Sequence, residues 1–274
     1  MKKLIIITLL LATFTVSAQE TKYDRLYREG TEAIKREDYN GAIELFTDAI
    51  SCEPKSRMNE YAYANLAYSY ERAGNLNDAF LSYSKALEIN PSSVDLLIQR
   101  AKILMMMDEI NAALSDYDNI LRLEPQNTTA LFFRAYIYNR DKEYDKAIAD
   151  YHTLLAIDPD NNKARLSLAI IYYKRGRSNE GRMLLEQLIE EEPGNAEYYI
   201  VRSNVERENK RILSAIMDAE KAVELAPKNA EYRILLAELF IESDEKKKAR
   251  ECLDSAVKLG FDKIDLVHLY SKCR

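Results

Sequence analysis

EYAYANLAYSYERAGNLNDAFLSYSKALEINPSS, residues 60–93, decides how the chain is read. Alanine, leucine and tyrosine recur at helical spacing from Glu60 to Arg72, Gly74 breaks the run, and a second such stretch from Leu76 stops at Pro91. That proline is one of six: Pro54, Pro91, Pro125, Pro159, Pro193 and Pro227 follow one another at intervals of 37, 34, 34, 34 and 34 residues. Every proline in the chain lies on this ladder. A fixed period of that size means stacked copies of one supersecondary unit, here two helices joined by a turn.

Set in register by the prolines, the units lie near residues 23–56, 60–93, 94–127, 128–161, 162–195, 196–229 and 230–261, and 262–273 is left for a capping helix. Small residues at Ala67 and Ala79, and again at Ala135 and Ala147, let two antiparallel helices approach closely. The aromatics Tyr83 and Tyr151 fill the space toward the next unit, and a leucine forced into an alanine position is expected to cost roughly 1 to 3 kcal/mol. In the last segment Asp262 is placed to cap a helix whose Leu266, Leu269, Tyr270 and Cys273 share one side.

The pattern Leu66, Ala67, Tyr70, Gly74, Ala79, Tyr83, Ala86 and Pro91 resembles the tetratricopeptide repeat, and so do Leu131, Ala135, Tyr138, Ala147, Tyr151 and Pro159. The fifth unit departs with Gly181 where alanine is usual. The sixth departs most, with Ser203, Glu206 and Ala219 in place of alanine, tyrosine and an aromatic, and the seventh has Phe261 for proline. The resemblance covers residues 23–261 and implies an all-α, right-handed α-α superhelical solenoid of about seven repeats with a C-terminal cap, forming one domain over residues 19–274.

The resemblance also implies a concave groove lined by the first helix of each repeat at positions 2, 5, 6, 9, 12 and 13, where partner proteins or peptides lie. In this chain those positions hold Tyr61, Asn65, Tyr68 and Arg72, then Gln99, Lys102 and Met106, then Phe132, Phe133, Tyr136, Asn139 and Arg140, then Ser167, Tyr173 and Lys174. Repeats six and seven turn acidic with Glu197, Glu208, Glu231, Glu238 and Glu242, tempered by Asn204 and Arg207. Aromatics beside arginine and asparagine make a recognition surface. Arg72, Arg140 and Lys174 add a basic track, which favours a partner with acidic groups. The lysine and asparagine clamp by which some relatives grip a C-terminal carboxylate is absent in this register: Asn65 is present, but Tyr27, Thr31, Asp95 and Gln99 stand at the other positions.

Composition agrees with a large helical core: 47% of residues are hydrophobic and 31% charged, and few glycines interrupt them. A net charge of -6 works against nucleic-acid binding, and the only basic block, Lys246 to Lys248, reads as a helix end. Lys2 and Lys3, the apolar stretch Leu4 to Val16, then Ser17 and Ala18 have the order of a signal peptide over residues 1–18, cleaved between Ala18 and Gln19. A periplasmic or secreted protein is therefore expected, with no transmembrane segment in the mature chain.

Catalytic chemistry finds no footing in the sequence. His152 and His268 are far apart in repeat coordinates, and the run Glu190 to Glu192 reads as a solvated helix end. No phosphate-binding loop, metal-ligand spacing or cofactor motif is present. Cys52, Cys252 and Cys273 do not form a disulfide framework, although Cys252 and Cys273 are expected to lie close enough to be bridged or nearly so. The expected role is a non-catalytic scaffold or adaptor in the cell envelope that binds a partner protein or peptide. The alternative is a solenoid that binds a small ligand or glycan through its tyrosines.

Overall fold

The computed structural model describes residues 20–273, so the segment read as a signal peptide and its cleavage site lie outside the described residues. These residues form fifteen α-helices and no strand. Seven antiparallel pairs follow in order: α1 (Lys22–Lys35) and α2 (Tyr39–Cys52), α3 (Asn59–Arg72) and α4 (Leu76–Ile89), α5 (Val94–Met106) and α6 (Ile110–Leu123), α7 (Thr128–Arg140) and α8 (Tyr144–Ile157), α9 (Asn162–Lys174) and α10 (Ser178–Glu191), α11 (Ala196–Glu208) and α12 (Ile212–Leu225), α13 (Ala230–Glu242) and α14 (Lys246–Lys258). A short α15 (Val267–Lys272) is the last helix among the described residues. This is the α-α solenoid that the proline period implies.

Side-chain caps start most of the units, and one kind of turn stops every first helix. Asn127, Asn161 and Asn229 stand two residues after a ladder proline, and each side-chain oxygen accepts from the backbone N–H three residues on. Ser93 does the same for α5, and Thr21 with Asp24 forms a reciprocal capping box for α1. Every first helix then ends with one residue in the left-handed region: Glu37, Gly74, Asp108, Lys142, Gly176, Lys210 and Asp244. The following N–H reaches back to the carbonyl five residues earlier, as in Asn75 to Tyr70 and Arg211 to Glu206, both 2.8 Å. That is a Schellman turn, and it folds the second helix back onto the first. The longer first interval, 37 residues, is taken up between α2 and α3, where buried Asn59 pins the connection by donating to the Glu53 carbonyl at 2.7 Å.

The chain divides into two compact units, one up to Ile137 and one from Tyr138. In the first, Ala33, Ala42, Phe46, Ala62 and Leu66 form one buried cluster, and Ala67, Ala79, Tyr83, Ala101, Ala113 and Tyr117 belong to another. The alanines singled out by the repeat are fully buried, as close helix approach requires. In the second unit Leu166, Ala169, Leu185 and Leu188 pack together, and Leu236, Phe240, Leu253, Leu266 and Leu269 close the C-terminal end.

The departures from the repeat have local causes. A Cβ on Gly181 would lie 2.9 Å from the Ala169 carbonyl oxygen and 2.8 Å from the Tyr173 ring, so the missing methyl makes room for that tyrosine. In the sixth repeat buried Ser203 donates to the Ala215 carbonyl at 2.7 Å, while buried Glu206 accepts from Arg182 at 2.9 Å and Arg211 at 3.2 Å. A satisfied polar network replaces the usual tyrosine and alanine.

Two expectations need correction. The capping helix proper spans Val267–Lys272, shorter than residues 262–273: Asp262 accepts from Ile264 N–H in the turn before it. The cysteines are all free. Cys252 and Cys273 both pack in the C-terminal apolar cluster without a bridge between them.

Candidate functional site

In the first unit the residues assigned to the groove fall into small clusters on the first helices. Asn65 donates to the Tyr27 hydroxyl at 2.9 Å, so it braces α3 against α1. Tyr68 meets the edge of Tyr39, with ring centroids 6.3 Å apart, and the Arg72 guanidinium lies 5.2 Å from the centroid of the same Tyr39 ring. Burial raises the Tyr68 phenol and Arg72 pulls it back. Between α3 and α5, burial pushes the Glu71 carboxyl up while the charges of Lys102 and then Arg72 oppose that shift. Tyr61, Gln99 and Lys102 are half-buried. Met106 and Tyr136 stand out, 58% and 47% exposed.

Phe133 belongs elsewhere. Its ring stacks on core Tyr117 at 5.6 Å and meets Phe132 edge-on at 5.5 Å, so it helps to close the apolar cluster.

In the second unit Lys174 reaches the Asn139 side-chain oxygen at 3.5 Å, tying α9 to α7. Arg140 is exposed. Tyr173 is turned inward: its hydroxyl is buried with no hydrogen-bond partner, and burial pushes its pKa up to about 12. It serves packing against Gly181 rather than presenting a polar tip. At the acidic end Arg207 donates to Glu238 and Glu242, each at 2.8 Å, while Glu197, Glu208 and Glu231 remain exposed.

The residues weighed for catalysis have structural partners. His152 Nε2 lies 2.8 Å from the Tyr172 hydroxyl, and His268 Nδ1 lies 3.1 Å from the Asp265 carbonyl. Burial pushes the Cys252 thiol up to about 11, where it stays protonated at neutral pH. Glu191 pairs with buried Arg165 at 2.8 Å, and Glu192 accepts from Asn162 and Tyr198, so this acidic run fastens the end of α10 to its neighbours. Among the described residues no three His, Cys, Asp or Glu side chains gather as a metal site, and no helix is long and apolar enough to cross a membrane.

One structural pattern escaped the sequence reading. Arg100 makes paired bonds to Asp116 at 2.9 and 2.7 Å, and Arg202 makes the same pair to Asp218 at 2.8 and 2.7 Å. Both join repeat positions 7 and 23. The signal was present as an Arg-to-Asp spacing of 16, and Arg134 and Asp150 hold the same positions.

Tetratricopeptide-repeat family models match residues 60–93, 98–162, 138–205 and 206–273. The chain belongs to the tetratricopeptide-repeat family. Among solved structures it is similar to a tetratricopeptide repeat protein from Parabacteroides merdae, at 25% identity and a TM-score of 0.77 over 92% of this chain and 98% of that one. The C-terminal part of a repeat-containing protein from Cytophaga hutchinsonii shares the fold at 18% identity, with a TM-score of 0.67 over 88% and 99% of the two chains. A DnaJ homolog subfamily C member 7 homolog of Dictyostelium discoideum is 29% identical over 82 residues, 30% of this tetratricopeptide chain. That match spans 15% of the Dictyostelium protein's length.

Proposed function

We propose that this tetratricopeptide protein is a non-catalytic scaffold that holds a partner protein or peptide on its first-helix faces, in the bacterial cell envelope. The observation that carries the reading is the exposed side of α7. Tyr136 and Arg140, one turn apart, are an aromatic and a cation with exposed side chains, while Phe133 on the same helix packs on the core. Exposed tyrosine beside arginine supports protein recognition, since such side chains bury large area at low entropic cost. Arg72, Arg140 and Lys174 favour acidic groups on the partner. The basic and apolar order of residues 2–16, followed by Ala18, supports export.

Capture from an envelope extract tests this with two variants in parallel. Tyr136→Ala with Arg140→Ala should lose the partner. Met183→Ser, Leu213→Ser and Met217→Ser, which alter exposed apolar side chains on second helices, should retain it. The reverse pattern would move the site to the second-helix face. Intact-mass measurement of the protein from cells checks export: a chain starting at Gln19 supports it, and a retained Met1 in a cytoplasmic fraction contradicts it.

A further inference from the structure

Within the second unit the first helices change sign abruptly. Arg140, Lys163 and Lys174, on α7 and α9, are exposed cations at groove positions 13, 2 and 13. On α11 and α13 the matching positions hold Glu197, Glu208, Glu231 and Glu242, and Glu238 joins them at position 9. Arg207 offsets only part of this charge, because it is bound between Glu238 and Glu242.

The side chains share one face, as two contacts show. Lys174 at position 13 meets Asn139 at position 12 of the preceding repeat, and Glu242 at position 13 meets Arg207 at position 12 of the preceding repeat. The same step thus relates α7 to α9 and α11 to α13, and α9 packs beside α11. The row runs from a cationic to an anionic stretch with the boundary between repeats five and six. Opposite charges segregated along one row set up a field along it, which favours a ligand of complementary order and disfavours its reverse.

We propose that the second unit binds a protein segment that is itself charge-segregated, with its acidic stretch over Arg140 and α9 and its basic stretch over α11 and α13. This rests on the groove reading and adds the partner's charge order and orientation to it.

Two synthetic peptides of identical composition test the proposal: one with a glutamate run, a Gly-Ser spacer and a lysine run, the other with glutamate and lysine alternating. The segregated peptide should bind about tenfold more tightly than the alternating one, and the difference should shrink at high salt. Lys163→Glu with Lys174→Glu should abolish the preference while leaving helicity by circular dichroism unchanged. A photo-crosslinker at the peptide's acidic end should mark α9, and one at its basic end α11 and α13. Equal binding of both peptides with crosslinks on the first helices would overturn the charge order and leave the groove reading intact. Crosslinks confined to second helices, or no binding of either peptide, would overturn both.

Discussion

Tyr117 fills the repeat's aromatic position, and its hydroxyl is buried without a hydrogen-bond partner. The first repeat carries Phe46 at the equivalent position, also fully buried. An unpaired buried hydroxyl is destabilising, so Tyr117→Phe should raise stability by about 1 kcal/mol in urea unfolding, and a loss would mean the hydroxyl is satisfied in solution. The Arg202 and Asp218 pair calls for a different test. Asp218→Ala strands a half-buried guanidinium and should cost about 2 to 3 kcal/mol. Arg202→Leu with Asp218→Leu reproduces Leu168 and Leu184, which the fifth repeat already carries at those positions, and should be close to neutral. Equal losses in the two variants would show that the pair contributes net stability. The sequence exposed the small and aromatic core positions because their identity recurs with the period. It concealed Glu206, whose partner Arg182 lies in the previous repeat, and Tyr173, whose inward turn depends on Gly181.

At the scale of the element, all seven turns between paired helices use a left-handed residue, and only Gly74 and Gly176 are glycines. A side chain in that region costs roughly 1 to 2 kcal/mol, and glycine's extra chain entropy returns about 0.5 to 1. Lys142→Gly and Lys210→Gly should therefore each stabilise by about 0.5 to 1 kcal/mol, and together add, since the two turns are two repeats apart. A lower unfolding midpoint in either variant would contradict this account of the turn. The helix pairs were legible from Pro91 and Gly74 alone, but the other turns were not announced by residue type, because Glu37, Asp108, Lys142, Lys210 and Asp244 are held left-handed by the Schellman bonds rather than by their own preference. The cap was legible by its apolar side and misjudged in length, since Asp262 closes a turn rather than starting a helix.

For the whole molecule, a solenoid's repeats gain their stability from their neighbours, so the last repeat depends on what covers it. Leu266 and Leu269 bury nearly all their surface against the cluster of α13 and α14. Truncation after Phe261 should cost about 3 to 6 kcal/mol, and hydrogen exchange should rise in α13 and α14 and stay unchanged in α1 to α4. A uniform rise would argue against local coupling. The seven-repeat organisation was legible because one period governs every proline, whereas the binding residues were legible only as a set of positions: exposure divides Tyr136 and Arg140 from Phe133 and Tyr173, and exposure depends on neighbours in other helices, Tyr117 for Phe133 and Gly181 for Tyr173. If first-helix side chains hold the partner, a titration of the isolated partner with the wild-type chain and with Tyr136→Ala and Arg140→Ala combined will separate the two proteins. The double variant should lose more than about 1 kcal/mol in binding with helicity and melting unchanged. Unaltered affinity in a folded variant would contradict it.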